Sequence, residues 1–159
     1  MIQPFSFLSK YFWALALGVG VVNVFIMYQR TKKYRQANPE LTEGYQSLAR
    51  GYLILSSIPW AIMGFGITTG KADSAWQYFQ PRTGGPYIQA FFFSLVFMMF
   101  YFAYWVFLGN GAEFLVSHPG FFNFPTKSVK GVKILAAVFL IPSLIVFSVM
   151  YYVGFPVPK

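Results

Sequence analysis

The segment GAEFLVSHPG, residues 111–120, holds the one histidine of the chain, His118, and the last of its four acidic residues, Glu113. Imidazole and carboxylate are the side chains most used for proton transfer and metal ligation, so their spacing decides what chemistry is open. They lie five residues apart, about 140° around a helix axis, and do not share a face as residues three or four apart would. One histidine cannot supply both axial ligands of a haem, nor the several ligands of a zinc site. A single-ligand role is left, such as holding the magnesium of a chlorophyll. The structural alternative is equally specific: a histidine near a helix end bonds the last carbonyls, and Glu113 pairs with a base on the same side, with Arg50 as the candidate. Pro119 disfavours helical geometry at His118, so a helix or turn is expected to end there.

Absent residue types narrow the chemistry further. The chain has no cysteine, which excludes thiol chemistry, disulfide relays, iron–sulfur clusters and thiolate metal sites. Nucleophile, base and orienting group converge nowhere in the sequence, so no catalytic residues are assigned and a non-catalytic protein is expected. The long apolar runs contain no acidic residue in their interiors, which argues against a transporter built on an intramembrane carboxylate.

The elements that must position His118 and Glu113 are membrane helices. Of 159 residues, 57% are hydrophobic and 10% charged, too little polar surface to cover a soluble globule. Four apolar runs, about 11–28, 51–70, 87–108 and 134–153, are each long enough to cross about 30 Å of hydrocarbon as a helix. Strands of a membrane barrel would alternate in polarity, whereas FFFSLVFMMFYFAYWVFL is apolar on every side. The fold expected is an all-α integral membrane protein, a single transmembrane domain over 1–159, with its first run a retained span rather than a signal peptide.

The net charge of +8 is a topology signal, not a nucleic-acid footprint. A basic segment, 29–50, carries Arg30, Lys32, Lys33, Arg35 and Arg50, and Lys127, Lys130 and Lys133 precede or open the fourth run. Lys10, Lys71, Arg82 and Lys159 fall on the other side. This asymmetry predicts a cytoplasmic basic side, both termini on the non-cytoplasmic side, a bacterial inner (cytoplasmic or photosynthetic) membrane, and contacts with anionic lipid headgroups.

Several residues should shape the helix assembly. Ala14 with Gly18, Ala16 with Gly20, and Gly66 with Gly70 are small pairs at fourfold spacing, which lets helices approach closely. Pro59 and Pro142 should kink their helices, with Ser56, Ser57 or Ser143 covering the freed carbonyls. Asn38 and Pro39 read as a cap and first turn, followed by the stripe Leu41, Tyr45, Leu48 and Tyr52; a short helix is expected there, lying at the interface or extending the second span. In the loop KADSAWQYFQPRTGGPY, Trp76, Tyr78 and Phe79 read as interfacial anchors. The third run has eleven aromatics in twenty-two residues, more than one face can bury. Its Tyr101, Tyr104 and Trp105, with His118, are the candidate contacts for a chlorophyll, carotenoid, quinone or lipid.

SSIPWAIMGFG, FQPRTGGPYIQAFFFS and GNGAEFLVSHPGFFN resemble segments of small four-helix inner-membrane proteins predicted in bacteria, including cyanobacteria, for which no function is assigned. The resemblance covers about residues 48–124 and implies no activity. It implies only that Pro59, Trp60, Gly64, Arg82, Pro86, Tyr87, Glu113 and His118 matter together. The expectation from the whole sequence is an accessory, non-catalytic subunit that binds other membrane subunits and lipids through its aromatic third helix. The alternatives are a protein that holds a pigment, quinone or lipid, and a small membrane enzyme or transporter.

Overall fold

The structure, a computed structural model, describes residues 4–122 and 127–154. Residues 123–126 and the chain ends, including Lys159, lie outside it, and so do Asn123, the last residue of the segments quoted above, and Phe124, the end of the stretch that the resemblance covers.

Every regular element among the described residues is helical: α1 (Pro4–Ala37), α2 (Thr42–Thr68), α3 (Pro86–Phe107), α4 (Gly111–Ser117) and α5 (Val129–Tyr152), with 3-10 turns at Pro39–Leu41 and Ala75–Phe79. Four of these, α1, α2, α3 and α5, are long and apolar enough to cross a membrane. The third span agrees with its expected bounds within a residue at each end. The other three start earlier than expected, and α1 also ends later, because helical geometry continues past the apolar stretch, whereas α2 and α5 stop two residues and one residue short of their expected ends. Most of the basic segment 29–50 is therefore helix: α1 carries it to Ala37, one 3-10 turn reverses the chain, and α2 resumes at Thr42. The stripe with Tyr45 and Leu48 is the first part of α2. Asn38 makes no side-chain cap there.

The long helices form a row. α1 packs on α2, α2 on α3 and α3 on α5, while α4 bridges α3 and α5 at one end. The outer members are nearly bare, with 6% of the apolar stretch of α1 and 11% of that of α5 buried, against 28% for α2. Their unburied apolar side chains are covered by whatever surrounds the row, and in a bilayer hydrocarbon does so at no cost.

Small residues act where a neighbour uses the space. Trp13 of α1 lies over Gly64, where a Cβ would come within 2.7 Å of the indole. Gly20 faces the Ser56 hydroxyl, 3.8 Å from where its Cβ would stand, and the Asn23 amide donates to the Tyr52 hydroxyl at 3.0 Å. These contacts join α1 to α2. Gly18, by contrast, has nothing near it, so of the two α1 glycines only Gly20 meets a neighbouring helix. Gly70 is not a packing residue either. It has φ +69° and ends α2, as Lys71 N–H bonds Gly66 O at 2.8 Å and Gly70 N–H bonds Ile67 O at 3.1 Å. That paired pattern needs the left-handed backbone that glycine adopts without strain.

Pro59 and Pro142 sit inside helices that run through them unbroken. The serines do not take up the freed carbonyls of Leu55 and Val138 as expected. Ser56 donates to Leu53 O at 3.4 Å and Ser143 to Phe139 O at 2.7 Å.

Two cores stabilise the ends of the row. At the end away from the basic segment, Met63, Ile67, Ala72, Ala75, Tyr78, Ile88 and Phe91 cluster against Phe12, Trp13 and Trp60. Tyr78 is fully buried, not an interfacial anchor. Its ring stands edge-on to Phe91 at 5.2 Å, and its hydroxyl donates to Met63 O at 3.2 Å. Of the other two rings expected at the interface, Trp76 is exposed and Phe79, 6.2 Å from it, is half-buried. At the basic end, Val106, Ala112, Leu115, Val132 and Ala136 gather α3, α4 and α5, with Leu48 of α2 against them.

Candidate functional site

The polar side chains of this protein converge at the basic end, around the segment His118–Phe121 that follows α4. Pro119 stops the helix as expected, and His118 takes a non-helical backbone with φ −117° and ψ 71°. The carbonyls just beyond it are captured one after another. Tyr45 of α2 donates its hydroxyl to Pro119 O at 2.6 Å. Arg30 of α1 donates Nε to Gly120 O at 2.6 Å and Nη2 to Phe121 O. Non-helical carbonyls at a membrane boundary need donors, and one phenol and one guanidinium fork supply them.

Glycines make the fit possible. Gly120 has φ +80°, and a Cβ there would come within 2.7 Å of the Tyr34 ring. Gly44, on the first turn of α2, lies under the imidazole of His118, whose Nε2 edge occupies the space a side chain would need.

His118 is 6% exposed. Its ring lies flat on Phe114, centroids 4.2 Å apart at 17°, and Tyr45 stands edge-on to it at 5.0 Å. Nδ1 is 2.8 Å from the carbonyl of Phe114 and 3.0 Å from the Ser117 hydroxyl. The carbonyl can only accept, so Nδ1 carries a proton and donates to it, while Nε2 lies against Gly44. One nitrogen caps a helix end and the other faces a backbone wall.

The other candidate residues occupy separate places. Glu113 and Arg50 are both exposed, and no ion pair joins them among the described residues. Trp105 belongs to the second core, 6.3 Å from Phe102 and 6.5 Å from Phe114. Through Phe114 it is linked to His118. Tyr101 and Tyr104 lie on the outward side of α3, 47% and 63% exposed, so the structure does not gather these three rings and His118 into one cavity. At the other end, Pro59 and Gly66 are buried in α2, and Trp60 contacts Phe12 and Phe91. Gly64 sits under Trp13, Pro86 opens α3, and Tyr87 packs on Phe65 at 5.7 Å. Arg82 is exposed. His118 and Glu113 are thus at one end of the row, and Pro59, Trp60, Gly64, Arg82, Pro86 and Tyr87 lie towards the other.

Arg30, Tyr34, Gly44 and Gly120 are the site residues that the sequence reading missed, and Tyr45 was noted only as part of a stripe. The available signal was an arginine immediately after an apolar run, facing a segment rich in helix breakers. Among the described residues, no cluster of three or more histidine, cysteine, aspartate or glutamate side chains could hold a metal ion. The hydrogen bonds of Arg30 and Tyr45 tie α1 and α2 to the segment that follows α4 through its backbone carbonyls.

No family model matches the chain, and neither a curated protein nor a solved structure matches it. The functional reading therefore rests on geometry.

Proposed function

We propose that this protein is an accessory, non-catalytic subunit of a larger bacterial inner-membrane complex, respiratory or photosynthetic, with its basic end in the cytoplasm and both chain ends on the opposite side. The observation that carries the reading is a stripe of rings along α3. Phe93, Phe97, Phe100, Tyr101 and Tyr104 are all exposed, from 47% for Tyr101 to 64% for Phe97, and their spacings of four, three, one and three residues keep them on one side of the helix. Phe97 and Tyr101 already stack on each other at 6.4 Å. Lipid tails need no aromatic surface, whereas stiff rings offer a neighbouring helix large contact area with little side-chain entropy to lose. The locked basic end supports the same role, because it holds α3 rigid relative to α1 and α2.

A second reading is favoured by one feature. A groove of about 430 Å³ runs along α5 beside Pro142, lined by Val138, Phe139, Pro142, Ser143, Val146 and Phe147. Its apolar walls suit a pigment, quinone or lipid. An enzyme or small transporter would require polar groups that converge inside the row, and Arg30, Tyr45 and His118 each bond a backbone carbonyl instead.

Gentle purification of the tagged full-length protein from its native membrane, with mass spectrometry of co-purifying chains and an absorption spectrum, tests these readings. Stoichiometric partner chains are the expected result. A lone protein carrying a chromophore or lipid would transfer the weight to the α5 groove.

A further inference from the structure

We propose that the protein holds the phosphate of one anionic phospholipid in a groove between the end of α1 and the start of α2. The groove, of about 460 Å³, is lined by Tyr28, Gln29, Lys32, Arg35, Gln36 and Thr42. That volume is within the range of small-ligand sites, about 300–1,000 Å³. Every lining side chain offers at least one hydrogen-bond donor, two are cations and none is acidic. Glu40 and Glu43 lie on the adjacent turn but do not line it.

Arg35 is the distinctive member. Its Nη2 donates to Tyr28 O at 2.8 Å and its guanidinium lies 4.9 Å from the centre of the Tyr28 ring. The stem and head are thereby fixed. Its Nε is buried and has no partner among the described residues. The guanidinium charge is thus held beside the groove, where it attracts an anion and can donate to it in charge-assisted hydrogen bonds.

Depth and helix register favour a lipid over a soluble phosphate. Residues 11–28 of α1 cover about 27 Å at 1.5 Å per residue, which places Tyr28 at the edge of the hydrocarbon and the groove at headgroup level. Val22, Phe25, Gln29, Lys32 and Gln36 follow at spacings of three, four, three and four, one continuous helix face. Val22 and Phe25 are 55% and 61% exposed. The face is therefore apolar below the groove and donor-rich within it, the polarity profile of a phospholipid lying along α1.

The test is native mass spectrometry of the full-length protein in detergent, titrated with phosphatidylglycerol or phosphatidylcholine. Wild type should retain one phosphatidylglycerol in preference to phosphatidylcholine. Lys32→Gln changes an exposed side chain and should weaken that binding roughly fivefold, and Lys32→Gln with Arg35→Gln roughly thirtyfold, from the usual worth of a basic residue at an anionic surface. Lys130→Gln, a basic residue of α5 outside the groove, should leave it unchanged. Equal retention by wild type and the double variant would overturn the proposal. So would displacement of the lipid by millimolar inorganic phosphate, which would assign the groove to a soluble phosphate.

Discussion

His118 rests on Gly44: a Cβ added to the glycine would overlap the Nε2 edge of the imidazole. The ring cannot retreat, because Phe114 covers one face and Tyr45 stands against it. Gly44→Ala is accordingly expected to destabilise the protein by about 1–3 kcal/mol, the usual cost of overpacking, although alanine is the better helix former. Thermal unfolding in detergent measures this. Gly44→Ala combined with His118→Ala should be no less stable than His118→Ala alone, since the clash then has no second party. Losses that simply add would show that the two residues do not touch.

Arg30 donates to two successive carbonyls of the segment after His118, those of Gly120 and Phe121. Arg30→Lys keeps the charge but not the planar fork, so it cannot reach both carbonyls in the same geometry. The expected loss is about 1–2 kcal/mol for Arg30→Lys and about 2–3 kcal/mol for Arg30→Met. Limited proteolysis between His118 and Phe122 should speed up in the same order. A wild-type melting temperature for Arg30→Met would mean that Tyr45 and His118 hold the segment without it.

The four spans were legible because membrane burial writes itself as long apolar runs, and α3, bounded by Pro86 and Gly109, was legible almost to the residue. The site was not. Arg30 and Gly120 are 90 residues apart, and Tyr45 and Pro119 are 74 apart, so their contacts leave no period or motif in the sequence. Gly44 acts through the side chain it lacks, which no pattern of residue types records. Aromatics posed a different problem. Trp76 and Tyr78 have the same composition cue, yet one is exposed and the other buried, because only Tyr78 finds the space above Gly66. Gly70 was read from its spacing to Gly66, whereas the helix-stop reading was available from its place just after the apolar run.

That space above Gly66 can be tested by complementary changes. A Cβ on Gly66 would overlap the Tyr78 hydroxyl, so Gly66→Ala should cost about 1–3 kcal/mol. Tyr78→Phe loses the hydroxyl's bond to Met63 O and should cost about 0.5–1.5 kcal/mol. In the double variant the phenyl ring no longer carries the clashing oxygen, so its stability should exceed that of Gly66→Ala alone. A double variant less stable than either parent would place the conflict with the Tyr87 side chain, whose Cβ is 3.3 Å from the same point.

The aromatic stripe of α3 separates a packing face from a lipid-facing one. Phe97 and Tyr101 are exposed and contact each other, so replacing both with leucine removes little that the isolated chain needs. Its melting temperature in detergent should shift by no more than the equivalent of about 0.5 kcal/mol, as for most surface changes. If the stripe seats another subunit, the same variant should co-purify with much less partner, because interface energy concentrates in a few aromatic anchors. The control is a pair of leucines at Phe139 and Ile145 on the exposed side of α5, which should leave partner recovery as it is. Undiminished recovery with the α3 variant would assign the stripe to lipid, and a complex subunit would then have to dock through α1 or α5.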